Sequence, residues 1–193
     1  GKTAFTHHLA RLLDLPLISK RVSDLQSMWV GETERNIARM FESARQEGAV
    51  LLLDEADSFL QDRARAGHSW EITQVNEMLT QMEGFQGIFV AATNLAPQLD
   101  PAASRRFDLK IQFRHLGAEQ AWTLFQDAAG FLGMPVDPGL RTMLDRLTTL
   151  TPGDFSVVVR QRGLRPIVDA LDLVRRLREE VEARPGSAHR IGF

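Results

Sequence analysis

Leu51-Leu52-Leu53-Asp54-Glu55 joins a wholly apolar run to two adjacent carboxylates. With Val50 the run is continuous rather than alternating, the pattern of a strand buried on both faces of a parallel sheet. Such a strand delivers the residues that follow it to the carboxyl edge of the sheet, where α/β folds bind their ligands. There, one carboxylate can hold a metal and the next can polarise an attacking water. A solvated strand end carries the same residue types, so the run alone does not assign Asp54 and Glu55 a role.

Outward from this strand, short apolar runs alternate with amphipathic segments, which predicts a parallel sheet flanked by helices. Leu15-Pro16-Leu17-Ile18 and Ile88-Phe89-Val90-Ala91-Ala92 read as further strands. Leu109-Lys110-Ile111-Gln112-Phe113 alternates and reads as a fourth, with one wet face. Helices are predicted from Thr3 to Leu13, from Thr33 to Gln46 with Gly48 as the stop, and over Ile72–Met82 before Gly84. Their apolar stripes are core-packing faces. Past Leu116 only helical patterns remain: Ala118 to Phe131, Pro138 to Leu150, Asp154 to Arg162 with Asp154 as N-cap, and Pro166 to Ala183. The shift at Leu116-Gly117 therefore predicts an α/β core over 1–116 and a small helical domain over 117–193.

Composition narrows the function classes. The chain has 193 residues, 44% of them hydrophobic, which is enough for a sizeable core. The net charge of -2 argues against a dominant nucleic-acid surface. There is no cysteine, which excludes disulfides and thiolate metal sites and fits a cytoplasmic location. The longest apolar run, Ala49–Leu53, is far short of the roughly 20 residues of a membrane helix.

Gly1-Lys2-Thr3 opens a predicted helix. It has the form of the end of a phosphate loop, in which backbone N–H groups and a helix N-terminus cradle phosphates. The lysine would neutralise phosphate oxygens and the hydroxyl would ligate Mg²⁺. Asn94 ends the strand over 88–92 and could orient a water or touch a phosphate; a turn residue would look the same. Arg105-Arg106, before the fourth strand, carry permanent bidentate cations suited to phosphate, or simply surface charge. No histidine stands four residues from His7 or His8, so the pair does not read as a metal site.

The order of these pieces is more specific than any one of them. Lys2-Thr3 is followed by Asp54-Glu55, then Asn94, then Arg105-Arg106, and in this order the chain resembles the AAA family of ATPases over essentially its whole length. Gly1-Lys2-Thr3 resembles the end of Walker A, Asp54-Glu55 Walker B, Asn94 sensor 1, and Arg105 with Arg106 the arginine fingers. Met28-Trp29-Val30-Gly31-Glu32 resembles the family's pore loop. The resemblance implies a P-loop AAA+ core followed by a helical lid, with ATP between them and Mg²⁺ on Thr3 and Asp54. It also implies a homo-oligomeric ring, usually a hexamer, in which the arginines complete a neighbour's site and Met28, Trp29 and Val30 grip a polypeptide client. Gly153, in Pro152-Gly153-Asp154, falls where relatives contact nucleotide from the lid, at a place where many carry a sensor 2 arginine. Arg160 on the following helix is read as structural.

Two further departures from the pattern bear on the expectation. The phosphate loop lacks its first glycine and the strand before it, so the chain is expected to begin inside Walker A and to bind nucleotide poorly in this form. The arginine segment lacks the Pro-Gly that usually separates the two arginines, a compact form similar to that of microtubule-severing relatives, which leaves the two unranked. Trp29 could instead anchor the following helix, and Trp70 could belong to a second pore loop. Two alternatives to an ATP-driven remodeller stay open: an interaction module that does not turn nucleotide over, and a nucleic-acid motor, against which the aromatic pore motif and the mild acidity count.

Overall fold

A computed structural model describes residues 1–184. It divides into two compact units, one over Lys2–Ile111 and one from Gln112 onward. The first contains a three-stranded parallel sheet in the order β1 (Leu17–Arg21), β2 (Val50–Asp54), β3 (Phe89–Ala91). The middle strand is the run that opened the sequence reading, and Val50 to Leu53 are fully buried.

Helices α1 (Lys2–Leu12), α2 (Glu32–Glu47), α3 (Ser69–Gly84) and the short α4 (Pro101–Arg106) belong to this unit. The predicted stripe of α2 is its buried face: Ile37, Met40, Phe41 and Ala44 join Leu51, Leu53, Val75 and Met78 in one core. Phe41 meets Phe85 edge-on at 5.4 Å, a favoured arrangement of aromatic quadrupoles. Gly48 ends α2 at φ 61°, in the left-handed region that glycine enters without steric cost.

The expected fourth strand does not form. Residues 109–113 make no ladder with any strand among the described residues, and Leu109, Ile111 and Phe113 are 79%, 58% and 44% exposed. The alternation is real, but a strand exists only where a neighbour supplies its hydrogen bonds.

The second unit is helical throughout its described residues: α5 (Ala118–Phe131), α6 (Arg141–Leu144), α7 (Pro152–Gln161) and α8 (Ala170–Glu182). Phe125, Leu144, Leu150, Val158, Leu173 and Leu177 form its core. Two details differ from expectation. The single helix over 138–150 is instead a 3₁₀ turn, Pro138–Leu140, capped by Asp137, which accepts the Gly139 N–H at 2.8 Å, followed by the one-turn α6, and residues 145–150 are not helical. Thr151, not Asp154, is the N-cap of α7. Asp154 is the third residue of the helix and reaches back to accept the Thr151 N–H at 2.7 Å and its hydroxyl at 2.9 Å.

Candidate active site

The site is built at the carboxyl edge of the sheet. Helix α1 begins at Lys2, so its unpaired N–H groups and positive dipole end lie where the lysine and threonine side chains emerge. Thr3 Oγ1 donates to Asp54 Oδ2 at 2.7 Å, across 51 positions of sequence. Lys2 Nζ donates to Asn94 Oδ1 at 2.5 Å, across 92. Four of the predicted residues are thus brought together. Gly1 precedes the helix and is exposed.

Glu55 follows Asp54 in the turn after β2, exposed, with φ 56°. A non-glycine residue in the left-handed region costs about 1–2 kcal/mol and persists only where its surroundings hold it. Here the Glu55 N–H donates to Asp54 Oδ1 at 3.0 Å, and the Ala56 N–H to the Ala92 carbonyl at 3.0 Å. The turn leaves Glu55 exposed, its backbone tied to the carboxylate of Asp54.

Asn94 is exposed two residues beyond the end of the β2–β3 ladder, whose last link runs from the Ala92 N–H to the Leu53 carbonyl at 2.9 Å. The loop that carries it is tied to Asp57, a residue the sequence reading did not single out. Its spacing, three positions after Asp54, was the only available signal, and a carboxylate in a turn is ordinary.

The two arginines are not equivalent. Arg105 is exposed at the end of α4. Arg106 donates to the Ala102 carbonyl at 3.0 Å and is ion-paired with Glu83 of α3. Helix α4 is itself fixed by Asp100, which is 2% exposed and accepts from Ala102 N–H at 2.8 Å and Arg63 Nε at 2.8 Å. Burial pushes the Asp100 carboxyl up, but the Arg63 guanidinium and the two N–H donors outweigh it and hold the group below the usual aspartate range.

The loop before α2 is pinned at its base: the Ser27 N–H donates to Thr33 Oγ1 at 3.0 Å, and the Trp29 N–H to Ser27 Oγ at 3.2 Å. At its tip Met28, Trp29 and Val30 are 90%, 72% and 105% exposed. Trp29 therefore does not anchor α2. The loop thus ends in three consecutive exposed apolar side chains. Trp70 lies inside the first turn of α3, not in a loop before it, and stacks on His68 at 4.0 Å. Gly153 is the exposed second residue of α7, in the other unit. Among the described residues no group of three or more His, Cys, Asp or Glu side chains clusters as a metal site, and no helix is long and apolar enough to cross a membrane.

A parallel sheet whose edge gathers a lysine and threonine from a helix N-terminus, the carboxylate at the end of its middle strand and an asparagine from the next defines a P-loop nucleotide-binding core. Comparison with known proteins gives the family. Residues 1–115 match the "ATPase family associated with various cellular activities (AAA)", and the chain belongs to that family. Among its relatives, "Protein CdcH" of Halobacterium salinarum is 29% identical over 89% of the chain and 24% of its own length. The "Cell division cycle protein 48 homolog" of Archaeoglobus fulgidus is 35% identical over 86% of the chain and 24% of its own length. The "ATP-dependent zinc metalloprotease FtsH" of Marinobacter nauticus is 28% identical over 89% of the chain and 29% of its own length. The chain spans about a quarter of the length of these relatives.

Proposed function

We propose that the chain is the ATP-binding and ATP-hydrolysing module of a protein that remodels or unfolds polypeptide clients as a ring. The convergence of Lys2 with Asn94 and of Thr3 with Asp54 at one sheet edge carries the reading. Phosphates bind at the N-terminus of α1 over Gly1, and Lys2 neutralises their oxygens. Thr3 and Asp54 fit a hard cation, because a hydroxyl and a carboxylate 2.7 Å apart are the oxygen donors that Mg²⁺ accepts beside waters and phosphate oxygens. Mg²⁺, when bound, neutralises charge on the phosphates. Glu55 takes the proton of the attacking water and Asn94 orients that water. Arg105, supplied to a neighbouring subunit's site, stabilises the charge that develops on the transferred phosphoryl group. The role of Gly153 as a nucleotide contact rests on the family resemblance alone.

Mg²⁺-dependent release of phosphate from ATP by the full-length protein tests the hydrolytic reading, and a protein that binds ATP without releasing phosphate would leave the interaction-module alternative. The client reading has its own test. Trp29→Ala is expected to weaken binding to a permanently unfolded polypeptide by about 30-fold, the loss of an aromatic contact of about 2 kcal/mol, while ATP binding persists. Fluorescence anisotropy of the labelled polypeptide measures it. Unchanged polypeptide affinity would remove Trp29 from the client contact, and salt-sensitive binding of single-stranded DNA in its place would favour the nucleic-acid motor.

A further inference from the structure

Asp57 lies two residues past Glu55, half-buried in the turn that follows β2. Its Oδ1 accepts the hydroxyl of Thr93 and, at 3.3 Å, the backbone N–H of Leu95. The Thr93 hydroxyl oxygen in turn accepts the same Leu95 N–H at 2.8 Å. One carboxylate thus grips the residue before Asn94 and the residue after it. The β-ladder gives this loop no further support, since its last link is at Ala92. Asn94 therefore stands beyond the sheet; Lys2 meets its side chain, the Ala56 N–H holds the strand end at Ala92, and Asp57 from Glu55's own turn ties the backbone on both sides of it.

We infer that Asp57 is a positioning residue for the hydrolytic reaction. It fixes the distance between Glu55, which takes the proton, and Asn94, which orients the water. The inference rests on the ATPase reading above. It assigns Asp57 no contact with nucleotide, so its loss acts on turnover and not on binding. Misplacing a reacting group by about 1 Å lowers a rate on the order of 100-fold, which sets the scale of the effect.

The test uses steady-state hydrolysis by the full-length protein. Asp57→Ala is expected to lower kcat about 10- to 100-fold with KM for ATP within about threefold of wild type. Asp57→Asn keeps an acceptor oxygen in the same place and is expected to recover kcat to within about threefold of wild type. Thr93→Val, which keeps the shape of threonine but removes its hydroxyl, is expected to reproduce the Asp57→Ala loss. The two together should fall no further than the larger single effect, because both cut one tie. Because a loss of folded protein would lower apparent kcat at unchanged KM, each kcat is referred to the folded, ATP-binding fraction, measured by thermal melting and nucleotide titration on the same sample. Wild-type kcat in Thr93→Val or in a folded Asp57→Ala, a loss that Asn does not recover, or a rise in KM that matches the fall in kcat would overturn the inference. Glu55→Gln in the same assay separates the two readings. If the wild-type protein releases no phosphate, the ATPase reading itself fails; if Glu55→Gln turns over at the wild-type rate, Glu55 is not the base and Asp57 has no base to position; if Glu55→Gln is inactive while Asp57→Ala is unimpaired, only the positioning role fails.

Discussion

Glu55→Gln in the full-length protein is expected to cut ATP turnover by about 100-fold or more while Mg-ATP stays bound. Glutamine matches glutamate in shape, so the turn at φ 56° and the Ala56–Ala92 hydrogen bond meet the same backbone. What changes is the ability to accept a proton. The proposed phosphate and metal contacts lie on other side chains, Lys2, Thr3 and Asp54, of which Thr3 and Asp54 meet each other at the sheet edge. Binding and chemistry thus sit on separable residues, and the variant should accumulate as a nucleotide-loaded protein. Phosphate release with an equilibrium-binding measurement on the same sample reads both. Wild-type turnover would remove Glu55 from the base role.

The second large effect belongs to the arginines. Arg105→Ala is expected to lower turnover about 1,000-fold, the scale of losing a phosphate-sensing arginine, with the fold intact. Arg105 is exposed at the end of α4. Arg106 is engaged within its own chain by Glu83 and the Ala102 carbonyl, so its loss should loosen α4 against α3 and lower the melting temperature as well as the rate. Calorimetry beside the kinetics distinguishes them. If Arg105 acts across a subunit boundary, mixing Arg105→Ala with Glu55→Gln restores some turnover, because one variant's intact Glu55 then meets the other's intact Arg105. Equal losses of rate and stability in both single variants, with no recovery on mixing, would contradict the division of roles.

What the sequence disclosed follows from where the physics is local. Val50 to Leu53 could be read as a central strand because burial on both faces leaves a continuous apolar run, and that strand fixed Asp54 at the sheet edge. Leu109 to Phe113 showed an equally clear alternation but has no pairing strand, and pairing is a property of the neighbour. At the start of α7 the sequence pointed to Asp154 as the N-cap, but Pro152 is the first helical residue, which puts Thr151 at the cap and Asp154 at the third position, reaching back to it.

The site shows the same division. Lys2, Thr3, Asp54 and Asn94 were recognisable because residue type, strand position and order all pointed to one chemistry. The partners that hold the site were not. Asp57 reaches Thr93 over 36 positions and Glu83 reaches Arg106 over 23, and a surface carboxylate in sequence carries no mark of the contact it will make. The same holds for the arginines, since the Glu83–Arg106 pair that distinguishes them joins two different helices.

The central claim is that the helix beginning at Lys2, with Asp54, holds Mg-ATP. Titration of a fluorescent ATP analogue into the full-length protein, with and without Mg²⁺, tests it most directly when wild type and Lys2→Ala are compared. Saturable binding that strengthens with Mg²⁺, and that Lys2→Ala weakens about tenfold or more, is the predicted result. Affinity unchanged by Lys2→Ala and by Mg²⁺ would contradict it.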